Sequence, residues 1–211
     1  MWSKSPTDLL TANKIWARQR LEVDPAFFTR LCNVQQPEFL WIGCSDSRMP
    51  ANELVGLQPG EMFVHRNIAN IVPHSDLNCL SVIQFAVEML GVKHIIVTGH
   101  YGCGGIRAAM GSEDHGQIDN WLAHIKDIHA LHYDEIEAHK DAEAKADRLC
   151  ELNVVTQVRN VAKTSIVQNA WRKGQALAVH GWIYSLKNGV LSDLNVTHSR
   201  IEHLPEPYRI F

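Results

Sequence analysis

Phe39-Leu40-Trp41-Ile42-Gly43-Cys44-Ser45-Asp46-Ser47-Arg48-Met49-Pro50 runs four apolar residues straight into a thiol, a carboxylate and a guanidinium. A short continuous apolar run of this kind reads as a buried strand that delivers reactive side chains at its end. A second stretch repeats the design: His94-Ile95-Ile96-Val97 leads through Thr98-Gly99 into His100-Tyr101-Gly102-Cys103-Gly104-Gly105, and then into a helix. In an open parallel sheet, functional groups collect beyond the carboxyl ends of the strands. If the two strands are neighbours, Cys44 meets His100 and Cys103, and the three make a Cys2His set.

Around these segments the chain is ordinary in bulk. Its 211 residues, 45% of them hydrophobic, suffice for one sizeable core and no linker divides them, so a single domain is expected. A formal charge of −3 without blocks of Lys or Arg points to neither nucleic acid nor an anionic membrane as a partner. No apolar segment approaches a membrane span and the first residues lack the apolar core of a signal peptide, so the expected location is cytoplasmic. Five cysteines, at 32, 44, 79, 103 and 150, are an odd and irregular set that argues against a disulfide framework. Cys32, Cys79 and Cys150 fall inside amphipathic patterns and are expected to be small buried hydrophobes.

Ser5-Pro6-Thr7-Asp8 supplies a cap, a first-turn proline and a carboxylate at the positive end of a helix, and Asp24-Pro25 starts a second, shorter one. The core strand from Phe39 to Gly43 follows Pro37, and Glu61 to His65 forms the next strand after the Pro59-Gly60 turn. Asp76 caps an apolar helix from Leu77 to Leu90 that Gly91 closes. A strand from His94 to Thr98, a short helix, and a helix from Asp119 to His132 come next. Asp134 to Asp147, almost all charged residues and Ala, reads as a solvated helix, and two helices broken near Thr164 fill the span to Gly174. Ala176 to Tyr184 is the fourth strand, and Lys187-Asn188-Gly189 turns it into a fifth, antiparallel one. The predicted fold is α/β: a mainly parallel sheet of four strands plus an antiparallel edge strand, with helices on both faces. Residues 1–36 form an N-terminal helical arm, 37–194 the core and 195–211 a tail.

Zinc accepts thiolate and imidazole, and three protein ligands with one open position describe a catalytic rather than a structural site. Asp46 and Arg48, at alternate positions, share one face of an extended segment and can form a bidentate ion pair. Two thiolates cancel the charge of the ion, so its water is harder to deprotonate and a carboxylate beside it helps. Freed from Arg48, however, Asp46 can itself fill the open position. It is either the organiser of the site or its plug.

Cys44-Ser45-Asp46-Ser47-Arg48, His65-Arg66-Asn67-Ile68-Ala69-Asn70 and Gly99-His100-Tyr101-Gly102-Cys103-Gly104-Gly105, in this order and at these separations, resemble the β-class carbonic anhydrases of bacteria and plants. The resemblance runs from about Asp24 to Leu194. It implies Zn2+ on Cys44, His100 and Cys103, an Asp46–Arg48 catalytic dyad, and a zinc-bound hydroxide that attacks carbon dioxide to give bicarbonate. It also implies a homodimer or tetramer with active sites near the subunit interface. Gln35, Phe63 and Phe85 match positions lining the substrate cleft of the family. Trp41, Arg66 and Tyr184 match a trio that, in a regulated bacterial subgroup, holds bicarbonate away from the metal, although Trp41 and Tyr184 also suit a core and Arg66 needs an anionic partner. The same scaffold resembles hydrolases of carbon disulfide or carbonyl sulfide, and outside enzymes a zinc-stabilised bicarbonate sensor plugged by Asp46. His124, His129 and His132 read as surface residues, and no side chain is singled out as proton shuttle.

Overall fold

The structure, a computed structural model, describes residues 5–33 and 35–210. It divides into two compact units after Gln35. The first contains α1 (Pro6–Val23) and α2 (Phe27–Asn33). Ser5 caps α1 as expected, and with Asp8 it closes a reciprocal capping box there. Trp16, Phe27 and Phe28 pack edge to face, and the Arg20 guanidinium lies over the Trp16 and Phe27 rings. No residue of α1 is buried; Leu9, Leu10 and Val23 are 57%, 67% and 87% exposed. Cys32 is exposed as well, contrary to expectation.

The second unit runs β1 (Phe39–Cys44), α3 (Ala51–Leu54), β2 (Met62–Asn67), α4 (Leu77–Gln84), β3 (His94–His100), α5 (Gly104–Met110), α6 (Ile118–Leu131), α7 (Tyr133–Glu137), α8 (Ala142–Lys163), α9 (Ser165–Arg172), β4 (Ala178–Ser185) and β5 (Val190–His198). The strands form one sheet in the order β2-β1-β3-β4-β5. All pairings are parallel except the closing β4–β5 hairpin, in agreement with the predicted α/β architecture. One face, bearing Leu40, Ile42, Ile95, Val97 and Val179, builds the main core with the helices. The opposite face carries a smaller cluster of Trp41, Met49, Ala51, Met62, Ile96 and Tyr184.

Helix α8 presses closely on the sheet. A Cβ on Gly99 would stand 2.6 Å from Val154 Cγ2, and one on Gly181 3.1 Å from Val154 Cγ1, so both strands need glycine where this helix crosses. Several element bounds differ from expectation. The apolar helix that begins at Leu77 widens into a π-turn over Phe85–Met89 before Gly91, at φ 66°, ends it. The charged stretch 134–147 is not one solvated helix: α7 ends at Glu137, and Asp141 caps α8, which runs on through the apolar region to Lys163. Alanine and charged residues favour helix throughout, and only the Asp141 side-chain bond to the Ala144 N–H marks the new start. The break at Thr164 lies where predicted. β5 reaches His198, beyond the expected core limit of 194, and the tail is tied to α9 by Gln168, which bonds the Tyr208 carbonyl and the Ile210 N–H. Among the described residues no helix is long and apolar enough to cross a membrane.

Candidate metal centre

β1 and β3 are adjacent and in parallel register, Gly43 beside Thr98, so their carboxyl ends deliver Cys44 and His100 to one place. Gly102, at φ 69°, turns the chain there, and Cys103 follows as the cap residue of α5. The ligating atoms of Cys44, His100 and Cys103 lie within 4.8 Å of one another, and the residues are 5%, 1% and 3% exposed. The two sulfurs are 4.0 Å apart. Two sulfurs on a tetrahedral zinc at about 2.3 Å each stand about 3.8 Å apart, so the pair fits the ion with little movement. His100 donates from Nδ1 to the Tyr101 carbonyl at 3.0 Å, which leaves Nε2 as the lone-pair nitrogen. That nitrogen is buried without a partner. An orphaned imidazole nitrogen facing two thiols is the donor set of a soft cation.

Without a cation, two thiolates this close repel. The hydrogen bond from Cys103 pulls the Cys44 thiol down while burial opposes it. The Cys44 sulfur and burial push Cys103 up. A bound cation removes this conflict by stabilising both thiolates.

Asp46 and Arg48 form the anticipated bidentate pair. Oδ1 accepts from Arg48 Nε at 2.9 Å and from the Arg48 N–H at 2.9 Å, and Oδ2 accepts from Nη2 at 2.6 Å. The guanidinium holds the Asp46 carboxyl well below the usual carboxylate range. Oδ2 also stands 3.8 Å from His100 Nε2, so the carboxylate borders the cluster while remaining paired with Arg48.

Arg66 reaches back from β2 to the ligand segment. It donates from Nε to the Cys44 carbonyl and from Nη2 to the Asp46 carbonyl, bracing the ligand segment from β2. Trp41 and Tyr184 are buried together in the smaller cluster, and a Cβ on Gly43 would meet the Trp41 indole nitrogen at 2.3 Å. Phe63 and Phe85 stack with centroids 5.8 Å apart, Phe85 remaining 44% exposed. Gln35 is exposed and closes the N-terminal unit. His124 is exposed, and His132 pairs with Glu135.

A second cluster, His65, Asp76 and Cys79, also brings three donor atoms within 4.8 Å. Its tautomer speaks against a metal. Asn67 accepts from the Ile71 N–H through Oδ1 and donates to the Ile71 carbonyl, so its amide orientation is fixed and its NH2 faces His65 Nε2 at 3.1 Å. Nε2 is then the acceptor, and the neutral ring carries its proton on Nδ1, where a ligand would need a lone pair. Burial pushes the Cys79 thiol up to about 12 and disfavours a thiolate there.

Sequence reasoning missed the residues that hold the loop after β2. Asn153 and Gln157 on α8 and Trp121 on α6 bond the backbone of 68–72. Two amides four residues apart inside the apolar stripe of Leu149, Leu152, Val154 and Val158 were the available signal.

Three donors with no fourth Cys, His or carboxylate grouped with them among the described residues are the composition of catalytic centres rather than structural ones. Fold and donor set thus describe an α/β protein with a donor set for a soft cation at the carboxyl edge of its sheet. The carbonic anhydrase family profile matches residues 39–191. A carbonic anhydrase of Emericella nidulans is 48% identical over 188 residues, covering 89% of this chain and 82% of that protein. Among solved structures, a Coccomyxa β-carbonic anhydrase in complex with acetazolamide aligns at TM-score 0.90 with 35% identity, covering 95% of this chain and 91% of that one. One of two tetrameric β-carbonic anhydrases from Sordaria macrospora aligns at TM-score 0.87 with 38% identity, covering 90% and 97%. The chain belongs to the β-class carbonic anhydrase family, enzymes that interconvert carbon dioxide and bicarbonate. The Sordaria relative comes from a filamentous ascomycete, so the likeness is not confined to bacteria and plants.

Proposed function

We propose that this chain hydrates carbon dioxide reversibly with a Zn2+ held by Cys44, His100 and Cys103. The observation that carries the reading is the unpartnered, fully buried His100 Nε2 facing two thiols, with the Asp46 carboxylate 3.8 Å away. The ion, when bound, supplies Lewis acidity that makes a coordinated water a nucleophile near neutral pH. Asp46, kept ionised by Arg48, carries no proton and is an obligate acceptor. It therefore orients an O–H group beside the cluster, and Arg48 keeps it from turning onto the ion. The stacked Phe63 and Phe85 offer an apolar surface suited to carbon dioxide, while Gln35 as a cleft residue rests on the resemblance alone. Five unpaired cysteines suit a reducing compartment such as the cytoplasm. Metal analysis of purified protein and of Cys103→Ser, with stopped-flow hydration on the same samples, tests the reading. One zinc per chain in the wild type and loss of metal and activity together in the variant are expected; full retention of both sinks it.

The exposed Leu9, Leu10, Ile15 and Trp16 of α1 support a homodimer or tetramer, as does the tetrameric Sordaria relative. A fully active monomer in light scattering at micromolar concentration refutes this. Regulation by bicarbonate is a second reading. In its favour, Trp41 and Arg66 lie on one face of the sheet, and Tyr184, in line with His100, joins Trp41 in its cluster. The anion would take over Arg66 from the Cys44 and Asp46 carbonyls, loosening the segment that holds Asp46 against Arg48. Activity should then fall cooperatively with bicarbonate, and Tyr184→Phe should weaken the effect. An unchanged response in that variant removes the regulatory site and leaves the zinc assignment standing.

A further inference from the structure

Tyr101 stands between the end of β3 and the turn that leads to Cys103, and three of its groups are tied. Its N–H donates to the Tyr184 carbonyl at 3.0 Å, continuing the β3–β4 ladder. Its carbonyl accepts from His100 Nδ1 at 3.0 Å, the bond that leaves Nε2 as the lone-pair nitrogen of that ring. Its phenol donates to Glu151 Oε1 on α8 at 2.6 Å, across 50 residues of sequence. The peptide that carries the carbonyl continues into Gly102, at φ 69° with open space where a Cβ would stand. A glycine restrains little, so the orientation of the carbonyl is set from the Tyr101 side.

Glu151 is held in its turn. Arg148, three residues earlier on α8, donates from Nη1 to Glu151 Oε2 at 2.6 Å. The same guanidinium donates from Nε and Nη2 to Glu135 Oε1 at 2.8 and 2.6 Å, and Glu135 Oε2 meets His132 Nδ1 at 3.1 Å. The Glu151 carboxylate is therefore fixed through both oxygens, by a phenol on one and a guanidinium on the other, and its side chain is only 23% exposed. Bonds to an ionised acceptor of this kind are the stronger class of hydrogen bond.

We propose that Glu151 is a positioning residue of the metal centre: by holding the Tyr101 phenol it holds the backbone carbonyl that fixes the tautomer and orientation of His100. The inference rests on the reading of His100 as a metal ligand. A ligating imidazole is oriented by the partner of its second nitrogen, and loss of such a partner costs about 10- to 100-fold in metal affinity. Glu151 acts one step further out, so the lower figure is expected.

Tyr101→Phe keeps the ring and removes the hydroxyl. Glu151→Leu removes the acceptor, whereas Glu151→Gln keeps an amide that can accept from the phenol or donate to it. Zinc affinity by chelator competition should fall about tenfold in each of the first two and no further in the double variant, because both break one bond. Glu151→Gln should retain most of the affinity. Nuclear magnetic resonance of protein carrying 15N-labelled histidine reads His100 itself, with and without zinc. Its Nδ1 proton, covered by the Tyr101 carbonyl, should exchange with water faster in Tyr101→Phe and Glu151→Leu than in wild type or Glu151→Gln. A purely structural role would lower Tm and leave both the His100 proton and the zinc affinity unmoved; that result overturns the inference, as does an additive loss in the double variant. Should the variants not fold, metal-free wild type decides. A His100 ring protonated on Nε2 refutes the tie, and a slowly exchanging Nδ1 proton together with a Tyr101 hydroxyl proton resolved from water supports it. A wild type in which these protons are protected but which binds no zinc overturns the metal assignment instead.

Discussion

Replacing Asp46 by Asn separates catalysis from stability. The amide matches the carboxylate in size but carries no charge, and of the two oxygens that accept from Arg48 it keeps one. Arg48 is 56% exposed and Asp46 16%, so most of the Coulombic attraction is screened and the stability loss should stay within about 1 kcal/mol. For a chain of this size that is a drop of about 2–4 °C in Tm. The catalytic loss should be larger. A positioned acceptor beside a reacting proton contributes about 10²- to 10⁴-fold, and at about 1.4 kcal/mol per tenfold even the lower figure exceeds the stability cost. Stopped-flow carbon dioxide hydration, thermal denaturation and metal content should be measured on one preparation. A metal-replete Asp46→Asn protein within about threefold of wild-type kcat/KM would refute the catalytic role and return the pair to a surface ion pair. Loss of metal together with activity would instead make Asp46 a residue that holds the site together.

Gly99→Ala should cost about 1–3 kcal/mol, because its Cβ would meet Val154 Cγ2 at 2.6 Å and α8 must retreat; an unchanged Tm would deny the close crossing. The Asp46 carboxyl is depressed in the folded protein, so it contributes stability above its unfolded pKa near ~4, and this is lost as pH falls towards the folded value. Denaturant midpoints measured from neutral pH downward should therefore converge for wild type and Asp46→Asn in acid, and a constant gap would contradict the shift. Stripping the metal with a chelator should lower Tm, and restored zinc should raise it with concentration, since only the folded chain brings Cys44, His100 and Cys103 together. A Tm indifferent to zinc would mean that the three residues bind none.

The donors were legible because each is announced locally. Phe39 to Gly43 and His94 to Thr98 are apolar runs whose only use is burial, and the residues directly after each run must stand at the carboxyl edge of the sheet. The Asp46–Arg48 pair needed only the alternation of an extended chain. Where expectation failed, the deciding contact was either a single cap, as at Asp141, or remote. Nothing near Arg66 in the sequence announced that it holds two carbonyls of the ligand segment, 20 and 22 residues away. Ala69 gave no sign of its left-handed conformation (φ 60°), because Trp121 and Asn153, which impose it, lie 53 and 84 residues from the carbonyls they hold. The pattern has a physical reason. Which atoms can bind a cation depends on residue types at strand exits, and those are written next to one another. How the loop beside them is shaped depends on side chains of α6 and α8 that are remote in sequence. A variant that spares every ligand can therefore still reshape the loop beside the centre, and Asn153, whose amide holds the Ala69 carbonyl at 2.9 Å, is such a position.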